Sequence, residues 1–164
     1  MKKVVKFGGS SLASAQQFSK VKSIITADKH RRYVIPSAPG KRFSGDTKVT
    51  DMLYDCYDTA VSGSNFEEKL DKIHERYNEI IEGLHLDLSL DKEFDKIYEY
   101  FKNGAGVNYA ASRGEYLNGI IMANYLGFEF IDAAEVIFFD ENGEFDSEKT
   151  NNILSIRLEK ADCA

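Results

Sequence analysis

Apolar residues recur along this chain with two different periods, and the switches between them mark the elements. Lys3 to Phe7 is a short β-branched run, the pattern of a buried strand. Phe18, Val21, Ile24 and Ile25 then recur at helical spacing up to about Ala27, and Ser14 stands three residues before Gln17 in a capping-box pattern. Tyr33-Val34-Ile35 reads as a second strand that ends at Pro36. Strand, helix, strand predicts a βαβ unit, and hence a parallel sheet with a right-handed crossover.

A loop of turn-forming residues, SAPGKRFSGDTK, leads into a helix whose apolar stripe is Val49, Met52, Leu53, Cys56, Tyr57 and Ala60. Cys56 lies on that stripe and reads as a plain core residue. Over residues 65–103 the texture changes. One stripe runs from Phe66 through Leu70, Ile73, Tyr77, Ile80 and Ile81 to Leu84, and a second from Leu90 to Phe101. Many Glu, Asp and Lys surround them, which predicts an antiparallel helical pair leaving the sheet, with solvated outer faces. A glycine-marked break then precedes a helix over about 112–125, strands at 129–131 and 136–139, and a hairpin turn at Asn142-Gly143. A calcium loop starting at Asp140 is excluded, since its glycine falls too early and its twelfth residue is Asn151. The final helix spans 153–158, and the chain stops without a helix-stop signal, so more chain is expected to follow.

Composition narrows the class. The 164 residues are 43% apolar and 29% charged, an ordinary balance for one globular core. A net charge of -6 argues against nucleic acid or an acidic membrane surface as the main partner. Lys2-Lys3 and Lys29 to Arg32 are too short to alter that and read as solvated faces. Two cysteines, Cys56 and Cys163, in no redox or metal spacing fit a reduced, cytoplasmic compartment. No apolar run suits a signal peptide or a membrane span. His74 and His85 lack a ligand partner at helical spacing, so packing or surface roles are expected and no metal site is assigned.

Candidate chemistry begins at KFGGSS. A strand running straight into Gly8-Gly9 leaves backbone N–H groups uncovered, an anion cradle over which Lys6 can lean, with Ser10 and Ser11 adding hydroxyls. A tight turn with a solvated lysine is the equal alternative. The stretch SAPGKRFSGDT fails as a P-loop because the required first glycine is Ile35. Lys41 and Arg42 then belong either to a mobile basic loop or to a flap over phosphates. Ser37 at the strand end and Thr50 at the helix start fall where side chains of an open α/β sheet face the ligand crevice. Turn formation and helix capping explain them equally well. Glu115 pairs with Ser112 as a capping box, and a carboxylate at a helix start would equally hold an ammonium.

Taken together, VVKFGGSSL, VIPSAPGKRFSGDTKVTDML, SRGEYLNG and FIDAAEVI, in that order, resemble the aspartate kinases of the amino-acid-kinase family. The resemblance spans the chain apart from the helical pair. It implies a three-layer α/β sandwich with a mainly parallel sheet and an inserted helical pair, of which residues 1–164 are the N-terminal, substrate-side part. It implies transfer of the γ-phosphoryl of ATP, with Mg²⁺, to the side-chain carboxylate of L-aspartate for amino-acid biosynthesis. Lys6 is carried over as the phosphate-contacting catalytic residue, Gly8, Gly9 and Ser10 as the phosphate cradle, and Ser37, Thr50 and Glu115 as aspartate contacts. The family's second glycine-rich segment, its carboxylate-binding arginine and its ACT regulatory domains are expected after Ala164. So the chain alone is expected to be inert, and the full-length protein to be a homo-oligomer. A non-catalytic anion- or amino-acid-binding module remains open, as does a kinase of another carboxylate or carbamate.

Overall fold

A computed structural model describes residues Met1–Ala164. Strand β1 (Lys3–Phe7) and strand β2 (Arg31–Pro36) pair in parallel, with Val5 opposite Val34 and Phe7 opposite Pro36. A short 3-10 turn, Gly9–Leu12, and helix α1 (Ala15–Thr26) make the crossover. Ser14 caps α1, its hydroxyl accepting from the amide of Gln17 at 3.4 Å. Side chains alternate across the sheet. Val5, Phe7 and Val34 turn to the apolar core, whereas Val4 and Ile35 on the other face are 65% and 52% exposed.

Beyond the sheet come α2 (Val49–Val61), α3 (Glu67–Gly83), α4 (Asp91–Lys102), α5 (Val107–Leu126), a single turn α6 (Ala133–Val136) and α7 (Ser147–Lys160). The class is α/β, as the sequence implies. Phe18, Leu53, Ile73, Tyr77, Ile97 and Leu117 meet in one core, each at most 1% exposed. The pair α3–α4 forms where its stripes predicted. It does not stand away from the rest, however. Gly83 of α3 sits so close to α1 that a Cβ there would lie 2.7 Å from that of Ala15. No helix is long and apolar enough to cross a membrane.

Four expectations are corrected. Helix α5 starts at Val107 behind Gly106, a full turn before the expected start at Ser112. Gly104, at φ 78°, makes the break, and Ala110 is already fully buried, so packing draws the helix start upstream. Ser112 Oγ instead donates to the carbonyl of Tyr109 at 2.8 Å, and Glu115 is a mid-helix residue. Second, residues 129–131 form no strand. A strand needs a ladder, and that segment makes one rung, from Glu129 N–H to Cys163 O at 3.0 Å. Third, Asp132 caps the turn α6 by accepting from Ala134 N–H, which takes Val136 out of the strand expected at 136–139. What survives is one antiparallel bridge, Phe139 to Phe145, around Asn142-Gly143 with Gly143 at φ 80°. Its loop is held by Asp140 Oδ1, which accepts from the amides of Asn142 and Glu144 at 2.9 and 2.8 Å. The last helix begins earlier than expected because Asp146 caps it at Lys149 N–H.

Candidate functional site

Both strands end at the same place, and the loops that leave them touch through their backbones. Gly40 N–H donates to Gly9 O at 2.8 Å. A Cβ on Gly9 would stand 2.7 Å from Ala38 O, and one on Gly40 would stand 2.6 Å from the carbonyl carbon of Gly9. Glycine is required at both positions by close approach. Gly8 differs: its φ is -77° and nothing lies within 4 Å of a Cβ built there. The amides of Gly8, Gly9 and Ser10 have no internal acceptor. They are the uncovered N–H groups that an anion would meet.

These loops form one side of a cavity of about 470 Å³. Gly9, Ser10, Ser37, Thr50 and Glu115, all singled out from sequence, line it together. Lys41 and Lys48 add two cations to its wall, and Ala38, Pro39 and Gly40 complete the lining. Lys6 and Gly8 are not in that wall. Lys6 lies in β1 opposite Ile35, exposed and without a polar partner.

Helix α5 supplies the opposite side. Glu115 Oε1 accepts from the amide of Ala38 at 3.3 Å, one residue beyond Ser37. That reach depends on Gly114, where a Cβ would come within 2.7 Å of the Ala38 side chain. One turn later Asn118, fully buried, donates through Nδ2 to the carbonyl of Ser37 at 2.6 Å. So both polar ends of the single Ser37–Ala38 peptide group are gripped by one helix face. Beneath it, Tyr77 of α3 donates its hydroxyl to Gly114 O at 2.8 Å. Burial pushes the Tyr77 phenol well above its usual range, and the charge of Glu115 adds to the shift. The phenol is a fixed donor.

The loop between β2 and α2 is fastened rather than loose. Arg42 forks onto Asp46, Nε and Nη2 donating at 2.8 and 2.9 Å, while Asp46 also accepts from the Arg42 amide at 2.9 Å. The Arg42 hydrogen bond holds the Asp46 carboxyl well below the usual carboxylate range. Arg42 also reaches Glu79 of α3 at 2.7 Å and so points away from the cavity, leaving Lys41 and Lys48 as its free cations. Val49 N–H donates to Pro39 O at 3.1 Å, which brings the start of α2 and its positive dipole end to the cavity beside Thr50. His74 stacks on Phe94 with centroids 4.2 Å apart and lies 3.2 Å from Asp91, a packing role. No group of three or more His, Cys, Asp or Glu side chains gathers in a way that would hold a metal ion.

The model of the amino acid kinase family matches residues 1–160. The chain belongs to the amino acid kinase family. Aspartate kinase of Clostridium acetobutylicum superposes with a TM-score of 0.95 at 49% identity, covering 100% of this chain and 38% of that one. Aspartokinase 3 of Bacillus subtilis is 36% identical over 140 residues, which is 82% of this chain and 31% of the relative. Escherichia coli aspartokinase III, solved with aspartate and ADP, shares the fold at a TM-score of 0.77 and 21% identity, over 96% of this chain and 38% of that one. This amino acid kinase chain thus spans about a third of the length of its relatives.

Within the amino acid kinase fold, sequence reasoning missed Lys48, Arg76, Tyr77 and Asn118. Arg76 had left a signal: a cation three residues after Ile73 and four before Ile80, inside an otherwise apolar stripe. Asn118 and Lys48 had none beyond lying within motifs already singled out.

Proposed function

We propose that the full-length protein is an aspartate kinase, which uses ATP and Mg²⁺ to phosphorylate the side-chain carboxylate of L-aspartate in the cytoplasm. One observation carries this: a single cavity has bare amides and two lysines on one side and the Glu115 carboxylate on the other. The first side suits the oxyanions of a triphosphate and the second an amino acid's ammonium. The aspartate kinases of Clostridium acetobutylicum and Bacillus subtilis support the substrate assignment.

Chemistry follows from placement. The β-carboxylate oxygen of aspartate attacks the γ-phosphorus, the bond to the β,γ-bridging oxygen breaks, and ADP leaves with that electron pair. Little covalent work falls to the protein; positioning and neutralisation of the phosphoryl oxygens dominate. The amides of Gly9 and Ser10 bind those oxygens in this reading, with Lys41 and Lys48 as point charges over them. Each such donor is worth about 3 kcal/mol in the transition state. Lys6 joins from the strand end, beyond the wall, and Gly8 keeps the approach clear. Ser37 and Thr50 hold the aspartate backbone groups, and Glu115 pairs with the ammonium. Glu115 is the sole carboxylate of the wall, so a magnesium ion would be held chiefly by the nucleotide phosphates, where it would neutralise phosphoryl charge.

The test traps the product as its hydroxamate. Full-length protein with ATP and aspartate is expected to form acyl phosphate, with little from glutamate, and Lys6→Met is expected to slow turnover at least a hundredfold. The position of Lys6 outside the cavity wall favours a second reading, a binding module without transfer. Aspartate and nucleotide binding without any hydroxamate would establish that reading, and an unchanged rate in Lys6→Met would remove Lys6 from catalysis.

A further inference from the structure

We infer that Arg76 is a positioning residue for the nucleotide side of the cavity, an inference that rests on the kinase reading above. Arg76 comes from α3, which contributes no residue to the cavity wall, and its side chain is 3% exposed. Its Nη2 donates to Ala13 O at 2.8 Å and to Gly40 O at 3.1 Å. Ala13 ends the turn that begins at Gly9, and Gly40 opens the loop that carries Lys41 and Lys48. The same nitrogen lies 3.6 Å from the carboxylate of Asp46, which Arg42 anchors at the far end of that loop. One buried cation therefore gathers both ends of the basic loop and the close of the amide turn.

A structural role alone explains this arrangement poorly. The position belongs to an apolar stripe, and a hydrophobic side chain there would bury its surface without the cost of desolvating a charge. Burial lowers the Arg76 pKa, and the neighbouring Arg42 charge acts in the same direction. Asp46 and Glu79, each 3.6 Å away, offset part of that cost, yet Nε finds no acceptor at all. What the guanidinium does gain is a planar Nη2 whose two N–H bonds, fixed in direction, reach two carbonyls from separate loops. A lysine ammonium, a point charge on a flexible stem, does not fix two donors in those directions.

Three full-length variants test it: Arg76→Met, Arg76→Lys and, as a packing control on the same helix, Ile80→Val. In both Arg76 variants the KM for ATP is expected to rise at least tenfold and kcat to fall at least tenfold, with the KM for aspartate within twofold. Hydrogen exchange at the Gly40 amide, which bonds Gly9, should quicken at least tenfold in Arg76→Lys. Ile80→Val should lower the melting temperature and leave both KM values alone. Arg76→Lys with normal ATP kinetics and normal Gly40 exchange would overturn the inference, and it decides the matter if Arg76→Met does not fold. A wild-type protein that makes no acyl phosphate would instead remove the kinase reading, while Gly40 exchange would still report on the clamp.

Discussion

The two sides of the cavity are joined by opposite means. On one, backbone lies directly on backbone, with Gly40 N–H bonded to Gly9 O and no room for a Cβ on either residue. On the other, side chains of α5 reach across to the chain after β2, Glu115 to the Ala38 amide and Asn118 to the Ser37 carbonyl. A backbone joint has no replaceable part and fails all at once. A side-chain joint can be taken apart one polar group at a time. The side assigned to nucleotide in the proposed reading is thus the brittle one, and the side assigned to the amino acid the tunable one.

Gly40→Ala should break the comparison hardest. Its new Cβ would stand 2.6 to 2.8 Å from three backbone atoms, none the end of a flexible side chain. We expect a loss of more than about 3 kcal/mol in stability, with nucleotide binding abolished, read by thermal melting and titration with ADP. Gly8→Ala is the contrast, expected within about 0.5 kcal/mol of wild type. Equal stability of the two variants would refute the idea of a brittle joint.

Glu115→Gln comes next. The amide oxygen can still accept from Ala38 N–H, so folding should be intact. Loss of the charge is expected to raise the aspartate KM about a hundredfold, about 2.7 kcal/mol, with the ATP KM unaffected. Unchanged aspartate saturation would leave Glu115 as a purely structural acceptor.

Asn118→Leu should cost less. It keeps the volume and removes the donor to Ser37, and it also removes Oδ1, which is buried without a partner. The expected cost is about 1–2 kcal/mol in stability, with a severalfold rise in aspartate KM. The smallest effect concerns the loop clasp. Asp46 has its folded pKa depressed by Arg42, so its stabilisation is complete above the unfolded value of about 4 and is lost as pH falls towards the folded pKa. Asp46→Asn should therefore cost about 1 kcal/mol at neutral pH, and melting curves of the two proteins should converge below pH of about 4. A constant gap across that range would mean the clasp is not ionic.

Much of this was legible beforehand. Local patterns gave β1, α1, β2 and the apolar stripes of α2, α3 and α4, because each is decided by residues within one or two turns. Gly9, Ser10, Ser37 and Thr50 stood out at strand ends and a helix start, but Glu115 lies mid-helix, and it was the resemblance that grouped the five. Failures came where distant contacts decide. Ser112 and Glu115 have capping-box spacing, yet the core burial of Ala110 sets the helix start upstream. Residues 129–131 have strand character but only one ladder bond. Tyr77 and Arg76 act on Gly114 and on Ala13 and Gly40, partners no local window contains. Helices α3 and α4 read as an excursion from the sheet with solvated outer faces, and that reading hid the support which α3 gives the site.

The two thiols offer an unplanned experimental handle. Cys56 is sealed inside the core, and burial pushes its pKa up to about 12, so at neutral pH it is almost wholly protonated and out of reach of alkylating reagents. Cys163 is only half-buried, with Arg32 Nη1 3.2 Å from its sulfur. A maleimide dye or nitroxide added to the unaltered chain should therefore mark a single position, beside β2. Fluorescence or spin-label spectra taken during ligand titration could then be assigned to one place without removing any cysteine.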